Sequence, residues 1–233
     1  MCIRDRNRPG NYFAHTLVIP PKDFKILNVL LPILYWNSPI WRSENRWEGP
    51  LLPAINDLQD IEMGLPDIVS DVWQFLAQGE RRAQLHQLFC AIIQRKRGHT
   101  FQRGVIILDT TENIAWWIAA LSLLLPDTYR PYLSFATYDH QLREGRYLIT
   151  GTTRDYWESI ARSPEAQAFF VLDAEQGTVS NRVPDSRYAQ LVAPVNSFEM
   201  FEKQLLPWFS DYAWRFPPQN GIDDQLELFA LYV

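Results

Sequence analysis

The run from Val105 to Asp109, VIILD, constrains this chain more than any other stretch. A short apolar run with no polar alternation fits a strand covered on both faces, because a face open to water would show polar residues at every second position. The next segment, Thr111 to Leu125, carries Ile114, Trp117, Ile118 and Leu121 on one helical stripe, and Trp116, Leu123, Leu124 and Leu125 widen that stripe almost all round. Such a helix must be heavily buried. Asp109 and Glu112 have the spacing to cap its start reciprocally, and Pro126-Asp127 ends it. The run Tyr132 to Asp139, YLSFATYD, reads as the returning strand. Strand, helix and strand at this spacing form a βαβ unit with parallel strands and a right-handed crossover, so VIILD and LSFATYD are expected to run side by side.

The alternation continues. Tyr147 to Thr150 reads as a strand running into Gly151-Thr152-Thr153, Asp155 to Ala161 as a helix, and Ala168 to Asp173 as another strand. The fold class is therefore α/β, a mostly parallel Rossmann-like sheet with helices on both faces. Before it, Ile68, Val72, Phe75 and Leu76 recur at helical spacing up to Gly79, and Leu85, Leu88, Phe89, Ile92 and Ile93 form a second stripe up to the basic run Arg95-Lys96-Arg97. Basic residues suit the negative pole of a helix C-terminus. After it, Ala174 to Pro194 is turn-rich with a short helix at Arg187 to Leu191. Ser197 opens a helix in which Pro207 predicts a kink, and a further run starts at Gly221.

Upstream, Asn11 to Ile19 reads as a strand. Between Leu30 and Asp67, Pro32, Pro39, Pro50, Pro53 and Pro66 alternate with Trp36, Trp41 and Trp47. Repeated prolines break both helix and ladder, so this is read as a long irregular Pro/Trp-rich insertion with one short helix near Ala54 to Glu62. The first six residues, MCIRDR, resemble a translated sequencing adaptor of the kind carried by reading frames from environmental DNA. The expected organisation is an adaptor-derived 1–6, an α/β domain over 7–175, and over 176–233 a linker with the start of a helical middle domain. The encoded protein is expected to begin upstream of this chain.

Composition narrows the function. A net charge of −5 over 233 residues gives no broad basic field for nucleic acid, so no nucleic-acid partner is expected. The longest apolar stretch, near Ile114 to Leu125, falls short of the roughly 20 residues of a membrane span, and no membrane partner is expected. Two cysteines, Cys2 and Cys90, make no disulfide framework, and the expected location is cytoplasmic. Cys90 reads as a small core residue and His86 as a surface histidine. His15, on a strand face with Phe13 and Leu17, reads as a satisfied core histidine rather than a catalytic base.

Open parallel sheets bind ligands beyond the carboxyl ends of their strands. The binding-rim candidates are accordingly Asp109, Thr110, Thr111, Thr137, Asp139, Thr152 and Asp173. Hydroxyls, carboxylates and helix N-termini there have the chemistry to hold a phosphate or a metal. Strand-to-helix junctions favour Asp, Thr and Ser for capping whatever the function, and that structural reading outweighs the catalytic one. There is no phosphate loop, dinucleotide fingerprint, nucleophile elbow, HExxH or paired CxxC, and the histidines show no metal-ligand spacing. No catalytic residue, metal ligand or cofactor is assigned.

Three stretches together carry a resemblance. Arg8-Pro9-Gly10-Asn11-Tyr12-Phe13-Ala14-His15, the stretch Ile107 to Pro126 with its paired tryptophans, and Leu133-Ser134-Phe135-Ala136-Thr137-Tyr138 resemble the N-terminal domain, second type, of bacterial GTPase-associated proteins. The likeness spans about Asn7 to Asp173, with Arg8, Gly10, Asn11, His15, Ser134 and Tyr138 as signature residues. The resemblance implies a component of a bacterial conflict system that acts beside a dedicated GTPase. Two functions follow: a noncatalytic adaptor or scaffold binding a GTPase or effector, or, as the alternative, a nucleotide- or metal-binding α/β enzyme using the strand-end carboxylates. A purely structural fragment of a larger protein is a third.

Overall fold

Gly104–Leu108 (β1) is buried at every position and lies at the centre of a five-stranded sheet, as its unbroken apolar run requires. The computed structural model describes residues 32–36, 38, 67–95, 103–139, 142, 146–219, 221–222 and 224–233. The expected strand at 11–19, the short helix at 54–62 and the signature residues Arg8, Gly10, Asn11 and His15 lie outside them. Two units are distinguished, Met1–Pro66 and Asp67–Val233. In the first, the described residues include a single 3-10 turn, Pro32–Tyr35.

In the second unit the other strands are Phe135–Ala136 (β2), Ile149–Thr152 (β3), Phe169–Asp173 (β4) and Thr178–Val179 (β5). Their order is β2-β3-β1-β4-β5. The pairs β1–β3, β1–β4 and β2–β3 are parallel, and β4–β5 is an antiparallel edge hairpin. The protein is thus α/β with a mostly parallel, mixed sheet. VIILD and LSFATYD share this sheet and direction, but they are not neighbours: β3 is inserted between them and pairs with both. The expected eight-residue strand is also cut to two residues, because a 3-10 turn occupies Arg130–Tyr132 and the Ser134 hydroxyl accepts the Leu148 amide at 3.0 Å, where a ladder carbonyl would stand.

Helices cover both faces. Alternate strand residues point to opposite sides, which separates Ile107 and its register partner Gly151 from Ile106 and Leu108. Over the first side lies Thr111–Leu123 (α3), with Ile114 against Gly151. Ile68–Leu76 (α1) and Arg81–Gln94 (α2) pack beside it, Phe75 meeting Trp117 edge to face at 4.9 Å between centroids. Over the second side lies Arg154–Ile160 (α4). Its Trp157 and Ile160 close a core of Ile106, Leu108, Leu142, Phe169 and Val171.

The helix α3 starts differently from the expected capping box. Thr110 is the cap and accepts the Asn113 amide at 3.2 Å, while Asp109 bonds elsewhere. It also ends two residues early. Leu124 and Leu125 close the turn fully buried, and Arg130 satisfies the loose carbonyls of Ser122 and Leu125, each at 3.0 Å, as a cation at a helix C-terminus should.

The expected domain boundary near 175 falls inside the unit Asp67–Val233. The helix Arg187–Val192 (α5) inserts Tyr188, wholly buried, between Phe89 and Phe229. Its hydroxyl donates to the Leu124 carbonyl at 2.5 Å. Tyr188→Phe removes that donor and leaves a buried carbonyl without it, so unfolding stability should fall by about 1–2 kcal/mol in denaturant titration. An unchanged midpoint would mean that the ring alone holds the segment. The helix opened by Ser197 loses its regular period just before Pro207: a π-turn, Phe201–Leu205, precedes the proline, which sits near the start of Leu206–Tyr212. A proline there removes an amide where the regular helical ladder is already interrupted.

Candidate functional site

Adjacent strands in this sheet lead to helices on opposite faces: β1 runs into α3, and β3 runs into α4. The strand order therefore changes direction between β1 and β3, the position at which open α/β sheets form a crevice beyond their carboxyl ends. The candidate rim residues sit at this end of the sheet, and their side chains turn to both of its faces.

Asp109 turns toward α3. One carboxylate oxygen accepts the Thr110 amide and the Asn113 side-chain amide, both at 2.8 Å, and the other accepts the Trp117 indole N–H at 3.1 Å. The residue is only 8% exposed. Its hydrogen-bonding capacity is directed inward, tying the strand end to the helix. Thr110 and Thr111 are exposed at the helix start.

Asp173 turns the other way, toward α4. In register Leu108 pairs with both Thr152 and Asp173, so these two polar side chains flank it on the α4 side. Asp173 accepts Arg154 at 2.7 Å and the Gln176 amide at 3.0 Å, and Arg154 also reaches Glu175 at 3.0 Å. Thr152 was expected in a loop after the strand. It is instead the last residue of β3, fully buried, and its hydroxyl has no hydrogen-bond partner among the described residues. Thr137 and Asp139 lie on the other side of β3, half-buried, with the Asp139 amide donating to the Gly151 carbonyl at 3.0 Å. Of the signature residues in the described part, Ser134 orders the edge strand and Tyr138 is exposed.

A second cluster escaped the sequence reading. His86 and Cys90, one turn apart on α2, meet Asp185 from the loop before α5. His86 is therefore not a bare surface side chain: its Nε2 lies 2.9 Å from an Asp185 carboxylate oxygen. Cys90 is buried as expected, and burial pushes its thiol up to about 12. A thiol so reluctant to ionise is a poor nucleophile, despite its histidine neighbour. The local sign was the helical i, i+4 spacing of His86 and Cys90; Asp185 lies 95 residues beyond Cys90.

The fold and its strand-end rim define an α/β domain of the parallel-sheet class, whose rim carboxylates are engaged in hydrogen bonds and an ion pair. Residues 72–176 match the family model described as GTPase-associated protein 1, middle domain. The matched segment runs from within α1 to just past β4 and so contains every parallel strand of the sheet. The match supports a GTPase-associated protein family assignment for this segment. The motif resemblance and the match name the same family but different parts of it, the N-terminal domain in the first case and the middle domain in the second. No curated protein and no solved structure matches the chain significantly. Among the described residues no helix is long and apolar enough to cross a membrane.

Proposed function

We propose that this chain is a noncatalytic adaptor or scaffold component of a GTPase-linked bacterial conflict system, with the sheet domain as a platform for a partner GTPase. The observation that carries the reading is the match of residues 72–176 to a GTPase-associated protein domain. The parallel part of the sheet is read as Rossmann-like, by analogy of its strand-order switch with that of nucleotide-binding folds, and used here for protein contact. Two features support an adaptor over the enzyme alternative. The carboxylates best placed for chemistry, Asp109 and Asp173, are held by neighbouring donors. Large apolar side chains also stand exposed near the C-terminal end of the chain, Trp214 at 63%, Leu231 at 56% and Tyr232 at 50%, of the type that forms protein contacts. On this reading the exposed Thr110 and Thr111 are contact groups, and Asp109 and Asp173 are structural.

The test is co-purification of the full-length protein with the GTPase from the neighbouring reading frame, in the nucleotide-free, GDP and GTP-analogue states. Retention in at least one state is expected, with a difference between states if the platform senses the nucleotide. Failure to associate in all three would sink the reading.

A further inference from the structure

The residues His86, Cys90 and Asp185 offer an imidazole, a thiol and a carboxylate whose ligating atoms all lie within 4.8 Å of one another. Helical geometry makes part of this arrangement: positions four apart on α2 stack on one face, which sets the Cys90 sulfur 3.8 Å from His86 Nδ1. The rest is made by the loop before α5, which brings an Asp185 oxygen to 3.7 Å from the same sulfur. That loop is tied down. The Asp185 carboxylate accepts the Ser186 amide at 2.9 Å and the Gln190 side chain at 2.5 Å, and the Ser186 hydroxyl bonds Glu227.

We propose that these three side chains form a binding site for a divalent zinc-class ion, which clamps the 185–186 loop to α2. Zinc takes nitrogen, sulfur and oxygen donors together, and bond lengths near 2.0 and 2.3 Å put tetrahedral ligand-to-ligand edges at about 3.5 Å. The two edges to sulfur, 3.8 and 3.7 Å, are close to that figure. Asp185 faces the other ring nitrogen, Nε2, at 2.9 Å, so coordination through Nδ1 requires the exposed carboxylate to turn toward the sulfur side of the imidazole. Access is from one side. Cys90 is at the buried end, and the Asp185 side chain is 56% exposed, which leaves the fourth position to water. On coordination the thiol gives up its proton to solvent and the cation supplies the balancing charge, so no oxidant or reductant is needed. The inference is independent of the adaptor reading.

The ordinary alternative is a histidine–aspartate ion pair with a thiol beneath it and no affinity for metal. Equilibrium dialysis of the full chain against zinc, and cobalt substitution followed by absorption, separate the two. The proposal expects one zinc per chain bound at this site, a thiolate-to-cobalt charge-transfer band, and a thermal midpoint that rises with zinc. Cys90→Ser should abolish the band, and both it and Asp185→Asn should weaken zinc binding by about tenfold or more. Asp185 is largely exposed, so its variant reports on the site even if the Cys90 variant does not fold. No zinc uptake by the unaltered chain, or uptake undiminished in both variants, would overturn the proposal.

Discussion

Gly151→Ala should cost about 3 kcal/mol of folding stability, the upper range for an added methyl in a packed interior. Gly151 stands in β3 between β1 and β2, on the side covered by α3. A Cβ there would overlap the Thr137 carbonyl oxygen and come within 2.5 and 2.7 Å of two Ile114 methyl carbons. The isoleucine can rotate, but the carbonyl belongs to the neighbouring backbone and can yield only if the edge of the sheet moves. Two controls isolate the cause. Gly177→Ala meets nothing closer than 3.8 Å but has φ +69°, so it should lose only about 1–2 kcal/mol, the cost of a left-handed residue. Ile114→Val in the Gly151→Ala background removes one of the two methyl clashes and should recover part of the loss, a coupling visible in a double-mutant cycle. Denaturant midpoints decide: a Gly151→Ala protein within 0.5 kcal/mol of the parent, about the scatter of surface substitutions, would mean that α3 does not approach the sheet this closely.

That same glycine shows where the sequence stops being legible. VIILD could be recognised because burial on both faces removes polar residues, a signature written in five adjacent letters. Gly151-Thr152 carries the opposite signature, that of a turn, and so β3 was expected to end at Thr150. Its position is set by the helix above, which needs a residue without a side chain, and a close approach from another part of the chain leaves no local period to read. The strand β2 was misjudged for a related reason. YLSFATYD has strand composition throughout, but at a sheet edge only the residues facing β3 are paired, and the Ser134 side chain takes over one ladder contact. The antiparallel β5 has two residues and was invisible. At the rim, residue types were foreseen but their directions were not. Asp173 is the last residue of β4 whereas Asp109 lies one position past the end of β1, since Leu108, not Asp109, is the register partner of Asp173. The pleat then sends them to opposite faces. The grouping of His86 and Cys90 with Asp185 depends on α5 docking beside α2, a tertiary event with no trace in either segment alone.

The second large effect concerns Asp109, the residue on which the enzyme alternative leaned most. Asp109→Ala is expected to destabilise the protein by about 2–4 kcal/mol, because hydrogen bonds to a charged group contribute more than neutral ones and a buried donor left unpaired bears its full desolvation cost. The Trp117 indole N–H lies in the core and would lose its acceptor, as would the Thr110 amide and the Asn113 side chain at the helix start. Asp109→Asn keeps one acceptor oxygen but turns the other side of the group into a donor facing donors, so its loss should be smaller without vanishing. The sign of the result separates two roles. A carboxylate kept for ligand or metal is commonly strained against its own charge, and its removal leaves stability unchanged or improved. One built to join β1 to α3 takes stability away when it is lost. Denaturant titration of both variants, beside calorimetry with nucleotides and divalent metals, reads the two roles together. A stable Asp109→Ala protein that has lost nucleotide-dependent heat would return the residue to chemistry; an unstable one, with no such heat in the parent, leaves it as the fastening between the central strand and its tryptophan helix.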